Sequence, residues 1–356
     1  MSDHTLGEQN AEAITLREVA SRAGVSSATA SRALNGRDGV DPEVRKRVQD
    51  VAREAGYRPN RAARHLAGGR ASAIGLVVGN TLLLHDSYAI SVLGHVAVAA
   101  DAHNEGLMLV LDSKSPSNSV DNLIRNGMID GAIISAVAVG SDWVEELLNS
   151  PLPTILIGTH PTRNDIPIID VDNHRAGCLA VLHLLDHGHR RIGLIAGPPD
   201  RVDSHDRLAG YHEAHAMYGL KVDPELIQPG SYTRISGYEA ADALLAQEPD
   251  AIFSLNDEMA FGLMIRCKEL SVRIPEDISL VGFDASIAGD PTDIALTSMS
   301  QPFTKMADLA VRSLISITEG KHVPLKQLVQ AEVKQRGTVL HTRRLRVDAG
   351  TGDASA

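Results

Sequence analysis

Residues 15–36 constrain this chain more than any other stretch, because they allow little besides two short helices joined by a tight turn. Thr15 and Glu18 have the T-x-x-E spacing of a capping box, in which side chain and backbone at a helix start satisfy each other. Leu16, Val19, Ala20 and Ala23 recur at helical spacing and give that helix one apolar face. Gly24 ends it, where a positive φ is easiest to place. Ser26 is positioned to cap a second helix running to about Asn35. Ala20 is small enough for the helices to cross closely, with Val25 and Leu34 filling the gap. The pattern predicts a helix-turn-helix, whose second helix lies in the major groove of DNA.

That second helix exposes Ser27, Ala28, Thr29, Ser31, Arg32 and Asn35. Hydroxyls and amides suit phosphate oxygens, and an arginine can grip a guanine edge with two hydrogen bonds. The competing reading is an ordinary helical hairpin with a solvated polar face. A third helix is announced by Asp41-Pro42-Glu43: a capping carboxylate, proline at the first helical position, and an acid in the first turn. Val44, Val48, Val51, Ala52 and Ala55 form its apolar stripe, and Gly56 stops it. Arg45, Lys46 and Arg47 read as a solvated face. After Tyr57-Arg58-Pro59-Asn60 comes a short basic segment, Arg61 to Ala67, ended by Gly68-Gly69. Leu66 has no core to join in so short a stretch. It is either a wedge for the minor groove or a linker leucine packed on a neighbouring domain.

The run Val-Ser-x-x-Thr-x-Ser-Arg-x-Leu-Asn-Gly, followed by Gly-Tyr-Arg-Pro-Asn and Ala-Arg-x-Leu, resembles the lactose repressor (LacI) family of bacterial regulators. The resemblance implies DNA contacts along Thr15, Ser26, Thr29, Ser31, Asn35, Tyr57 and Asn60. It assigns base reading to Ser27, Ala28 and Arg32. It makes Leu66 the hinge residue that opens the central base step, with Ala63 facing the minor groove. The family often carries larger or more polar residues where Ser27 and Ala28 stand, so Ala28 offers only apolar contact, for instance to a thymine methyl.

Charge divides the chain in the same place. Residues 14–70 hold twelve Lys and Arg against six Asp and Glu, whereas the whole chain of 356 residues carries a formal charge of −11. A basic module joined to an acidic body suits a nucleic-acid binder whose larger part stays off DNA. Cys178 and Cys267 have no motif spacing, so neither a disulfide framework nor a zinc site is indicated. No apolar run reaches membrane-spanning length, and the first thirteen residues are polar with no signal-peptide core, which points to a cytoplasmic protein.

From Ala73 onward apolar strand-length runs alternate with helix-like stretches. The strands are expected at 74–78, 107–111, 132–134, 154–157, 192–196, 251–255 and 278–282, and the helices at 91–104, 176–186, 236–246 and 259–270. Such alternation predicts α/β architecture with parallel sheets covered by helices. Two sheets fit the length better than one, and ligands of such folds bind at the carboxyl ends of the strands. The expected organisation is a helix-turn-helix domain at 14–60, a hinge at 61–71, an effector-binding and dimerisation domain at 72–340, and a disordered tail at 341–356. Within the large domain one lobe takes about 72–171 and 299–335, and the other about 172–298.

The resemblance extends through about residue 340, on strings such as Gly188-His189-Arg190-Arg191-Ile192, Arg207-Leu208-Ala209-Gly210-Tyr211, Asn256-Asp257-Glu258-Met259-Ala260 and Val281-Gly282-Phe283-Asp284. It implies a two-lobed fold like that of periplasmic sugar-binding proteins, with three crossovers. It also implies that Arg207, Asn256 and Asp284 bind a small effector, with Ser135, Tyr232, Gln301 and Phe303 facing the same cleft and Asp86 and Ser87 at its wall. A polyol, sugar or nucleoside needs paired donors and acceptors, which these residue types supply, and a flat ring to cover an apolar face. The competing reading is an arginine paired structurally with a nearby acid and a phenylalanine in the core. Thr159 and His160 end a further strand with a weaker match.

Other chemistries find no support. His183, His187 and His189 offer i, i+4 spacing without an accompanying carboxylate, so no metal is expected. There is no glycine-rich phosphate fingerprint and no nucleophile elbow, so no cofactor and no enzymatic activity are expected. The sequence therefore predicts a homodimeric, DNA-binding transcriptional regulator acting on a palindromic operator. Its most direct form is a repressor of a carbohydrate or related utilisation operon, released by its effector. A corepressed or global regulator is the alternative, and a sugar-binding protein without a regulatory role is a third.

Overall fold

The computed structural model describes residues 14–34, 36, 38–57, 70–78, 87–111, 127–135, 142–285 and 295–341. The expectations for Asn35, Asn60, Ala63, Leu66 and Asp86, for the hinge at 61–69 and for the tail beyond 341 lie outside them. The chain forms two compact units that divide between Ala71 and Ser72.

In the first unit, α1 (Leu16–Ala23), α2 (Ser27–Leu34) and α3 (Pro42–Glu54) enclose Val19, Ala20, Ala23, Ala30, Ala33, Val48 and Ala52. Local chemistry sets each boundary. The Thr15 hydroxyl accepts from Glu18 N, while Glu18 Oε2 accepts from Thr15 N at 2.7 Å. Gly24 takes φ 65°, and Ser26 Oγ accepts from Thr29 N at 3.1 Å. Asp41 Oδ1 accepts from Glu43 N and Val44 N, as its place before Pro42 requires. Five of the seven core side chains are alanine, so the helices pack at close range with little apolar volume.

The second unit contains two six-stranded sheets. The first runs β11-β5-β4-β3-β1-β2 in space, with β1 Ala73–Val78, β2 Gly106–Leu111, β3 Gly131–Ser135, β4 Thr154–Ile157, β5 Ile168–Val171 and β11 Lys326–Val329, all parallel. The second runs β12-β10-β9-β8-β6-β7, with β6 Ile192–Ile195, β7 Ile227–Gln228, β8 Ala251–Ser254, β9 Ser279–Asp284, β10 Thr297–Ser300 and β12 Glu332–Lys334. Only β12 is antiparallel to its neighbour there. The helices are α4 Ser87–Ala102, α5 Asp142–Leu148, α6 Asn173–Asp186, α7 Val202–Met217, α8 Arg234–Leu245, α9 Asp257–Glu269 and α10 Phe303–Thr318. The central strands are buried along their whole length, as strands covered on both faces must be. Among the described residues no helix is long and apolar enough to cross a membrane.

The chain passes between the sheets three times, after β5, after β10 and after β11. This corrects the sequence boundaries at 299 and 335. Thr297–Ser300 pairs whole with β9, and Glu332–Lys334 closes the edge of the second sheet, so only α10 and β11 of the C-terminal part return to the first. Thr338 locks this arrangement: its hydroxyl donates to Leu280 O at 2.7 Å and accepts from Thr297 N at 2.8 Å. In each sheet the strand order reverses beside one strand, at β1/β3 and at β6/β8, and such reversal points are where parallel sheets open a crevice.

Candidate functional site

On the first unit, α2 presents Ser27, Ala28 and Arg32 to solvent, while Thr29 and Ser31 are half-buried and Ser26 and Thr29 share their hydroxyls at 2.9 Å. Thr15 is spent on the capping box, and Tyr57 is half-buried against the core. One member of the basic run has a structural use: Arg47 Nε donates to Ala23 O at 3.0 Å, satisfying a carbonyl at the end of α1. What remains is a helix face of small side chains with one long guanidinium, shaped to enter a groove.

On the second unit, Ser135, Arg207, Tyr232, Asn256, Asp284, Gln301 and Phe303 all sit at strand ends or in the segments that follow them. Arg207 is 5% exposed. Its Nε donates to Asn173 Oδ1 at 2.9 Å and Nη1 to Leu255 O at 2.6 Å, and the guanidinium lies 3.5 Å above the Phe283 ring. A glycine makes that position possible. A Cβ on Gly177 would come within 2.5 Å of Arg207 O, so α6 and α7 touch by backbone at this arginine. Tyr232 takes φ 61° and lays its ring against Gly197, where a Cβ would meet Cζ at 2.5 Å. Its hydroxyl donates to Asp203 Oδ2 at 3.0 Å. Asp284 has φ 110°, a strained value for a residue with a side chain, and its Oδ1 accepts from Gln301 Nε2 at 2.6 Å. Strain of this kind gathers at ligand sites.

The first sheet contributes Ser135, whose buried hydroxyl has no hydrogen-bond partner among the described residues but lies near the Tyr88 hydroxyl. Phe303 packs edge-on to Tyr88 at 5.6 Å and stacks on His95 at 5.7 Å. Ser87 opens α4. Its hydroxyl donates to Glu258 Oε1 at 3.1 Å, joining α4 to α9.

Asn256 has a structural duty that the sequence reading did not foresee. It is the N-cap of α9, accepting from Met259 N at 3.0 Å and donating to Tyr232 O at 3.0 Å. One amide hydrogen is left for a ligand. Thr159 donates to Asp170 Oδ2 at 2.8 Å, and His160 turns away to Glu145 Oε1 at 2.9 Å.

Sequence reasoning missed Tyr88, Asp170, Arg201, Asp203 and Glu258. Asp203 precedes Arg207 by four residues on one helix, a spacing that could have found it. Burial pushes the Asp203 carboxyl up, but Arg201 and Arg207 outweigh it and hold it below the usual range. At Asp170 burial outweighs the Thr159 hydroxyl and Arg207, and the carboxyl is pushed up to about 6. Burial and then Asp203 raise the Tyr232 hydroxyl well above its ordinary value, so it stays a donor. The site therefore combines the ionised carboxylate of Asp203, a guanidinium held flat and several hydroxyls, with no group of three or more metal ligands among the described residues.

Comparison with known proteins agrees with both halves. A family model for bacterial regulatory proteins of the lacI family matches residues 15–60, and one for a periplasmic binding protein-like domain matches 181–339. The HTH-type transcriptional repressor CytR of Escherichia coli (strain K12) is 32% identical over 334 residues, covering 92% of this chain and 96% of the relative. Among solved structures, the lac repressor dimer bound to operator and the anti-inducer ONPF superposes with a TM-score of 0.73 at 27% identity, covering 92% of this chain and 99% of that one. The complex of transcriptional regulator CelR with cellobiose gives 0.70 at 28% identity, covering 92% and 100%.

Proposed function

The chain belongs to the lacI family of bacterial regulatory proteins, and from that premise we propose that it represses transcription from a palindromic operator until a neutral polyhydroxylated effector binds between its lobes. The carrying observation is the shared set of polar strand ends around Arg207, on a chain whose N-terminal unit exposes Ser27, Ala28 and Arg32 on one helix face. Arg207, Asp284, Gln301 and the remaining hydrogen of Asn256 would hold hydroxyls or ring nitrogens, and Tyr232 and Phe303 would flank the ring. Relatives fit this range, since CelR is solved with cellobiose.

One helix-turn-helix reads only a few base pairs, so two copies of the chain pair across a two-fold operator, in the cytoplasm. Arg32 reads a base edge and Leu66, with Ala63, opens the central step from the minor groove. An effector that prefers one arrangement of the lobes by a few kcal/mol shifts the occupied operator fraction strongly.

A thermal-shift screen over pentoses, hexoses, disaccharides, polyols and nucleosides tests the reading, because a ligand of the native state raises apparent stability by mass action. Hits should then weaken binding to an operator selected from random duplexes, and Arg207→Ala should lose that response while still binding operator. Hits that strengthen operator binding would make the protein corepressed. No hit in any class would remove the effector assignment.

A further inference from the structure

Asp170 is 7% exposed and sits where the chain leaves the first sheet. It is the penultimate residue of β5, and Asn173 opens α6 of the second lobe three residues later. Asp170 Oδ2 accepts from Thr159 Oγ1 at 2.8 Å. Its Oδ1 accepts from Val171 N at 2.7 Å and from Asn173 Nδ2 at 3.2 Å. Asn173, 3% exposed, uses the other end of its amide to accept from Arg207 Nε at 2.9 Å. Two hydrogen bonds thus connect a carboxylate of β5 to the guanidinium of α7. The amide admits one orientation only, because a flipped Asn173 would set its NH2 against Arg207 N–H and its oxygen against the carboxylate. The α6–α7 backbone contact at Gly177 leaves Arg207 no room to slide, so its aim depends on the side-chain bonds.

We propose that Asp170 is the positioning residue for the Arg207 guanidinium, acting through the side-chain amide of Asn173. The importance of this relay rests on reading Arg207 as an effector contact, but its chemistry does not. The charged and titratable groups facing Asp170 are Asp203, Arg207 and the Tyr88 hydroxyl. Burial raises the carboxyl, the Thr159 hydroxyl, the Val171 N–H and Arg207 lower it, Asp203 raises it, and the balance leaves it at about 6. Protonation removes the charge that polarises the Asn173 amide, so the bond from Arg207 Nε weakens with it. A carboxylate that merely filled space would leave that N–H unchanged.

The test follows the Arg207 Nε–H resonance of the full-length 15N-labelled protein from about pH 8 to about pH 5. The resonance should move with a midpoint near 6. Asp170→Asn, which copies the shape of the protonated acid, should hold it at the low-pH position throughout. Thr159→Val keeps the relay but removes a donor to the carboxylate, so the midpoint should rise. Asn173→Ala should abolish the response, and if that variant fails to fold, the Thr159→Val midpoint decides. A resonance that does not move in the unmodified protein, a titration that survives Asn173→Ala, or a midpoint indifferent to Thr159→Val would each overturn the relay. If the resonance titrates while no sugar, polyol or nucleoside stabilises the chain, the effector reading fails and the relay stands.

Discussion

The Ser87 hydroxyl and the Glu258 carboxylate meet at 3.1 Å although 171 positions separate them, and their bond ties the first helix of one lobe to the helix behind β8 of the other. Glu258 is oriented for it from the opposite side by Arg234, whose Nε and Nη2 reach Oε2 at 3.0 and 2.9 Å. Ser87→Ala should therefore leave Glu258 paired with Arg234 while removing one hydrogen bond. We expect a loss of roughly 1–2 kcal/mol in urea unfolding of the second unit. An unchanged midpoint would mean that water replaces the serine at no cost.

Arg32 is the one long side chain on the exposed face of α2, and its Nε makes only a 3.4 Å contact with Ala28 O. It is free to swing into a groove. Arg32→Ala should cost about 1–3 kcal/mol on the best operator and relax preference at one base pair. Binding measured on duplexes varied at each position checks this, and a uniform loss across all of them would make Arg32 a phosphate anchor.

Gly210 is where α7 meets α6, and a Cβ there would strike His174 O and Cys178 N. Neither is the end of a flexible side chain, so the helices must separate. Gly210→Ala should destabilise the second unit by roughly 3 kcal/mol and shift Arg207 with it. A melting temperature within a degree or so of the parent would show that the crossing yields easily.

Histidines at the far end of α6 give the second unit an acid-sensitive slope. Burial, then His187, lowers His183 to about 4, and its Nε2 is buried with no partner among the described residues. Burial also lowers His189. A histidine depressed in the fold binds fewer protons folded than unfolded, so its contribution is present above about pH 6.5 and is lost as pH falls below it. Asp170, raised to about 6, opposes this, because its fold favours the protonated acid. His183→Phe, similar in shape and unable to ionise, should flatten the fall between about pH 6.5 and 4.5 by about 1–2 kcal/mol, allowing for solvent screening. Urea midpoints at several pH values measure it; an identical slope in the variant would assign the acid sensitivity elsewhere.

The sequence by itself determined whatever depends on neighbours a few positions apart. The Thr15–Glu18 box, the Gly24 turn, the Asp41-Pro42 start and the alternation of apolar runs with helices were legible because each involves residues within about one turn or one strand. Family resemblance nominates Arg207 and Asp284 as effector contacts, and the structure buries both side chains. The tertiary structure alone decided what those groups do. Asn256 became a helix cap, β12 crossed to the second sheet, and Asp170, Asp203 and Glu258 emerged as carboxylates around the site. Asn173 meets Arg207 across 34 positions, and Ser87 meets Glu258 across 171. A buried polar group must find a partner, but local spacing carries no information on which distant residue the fold brings to it.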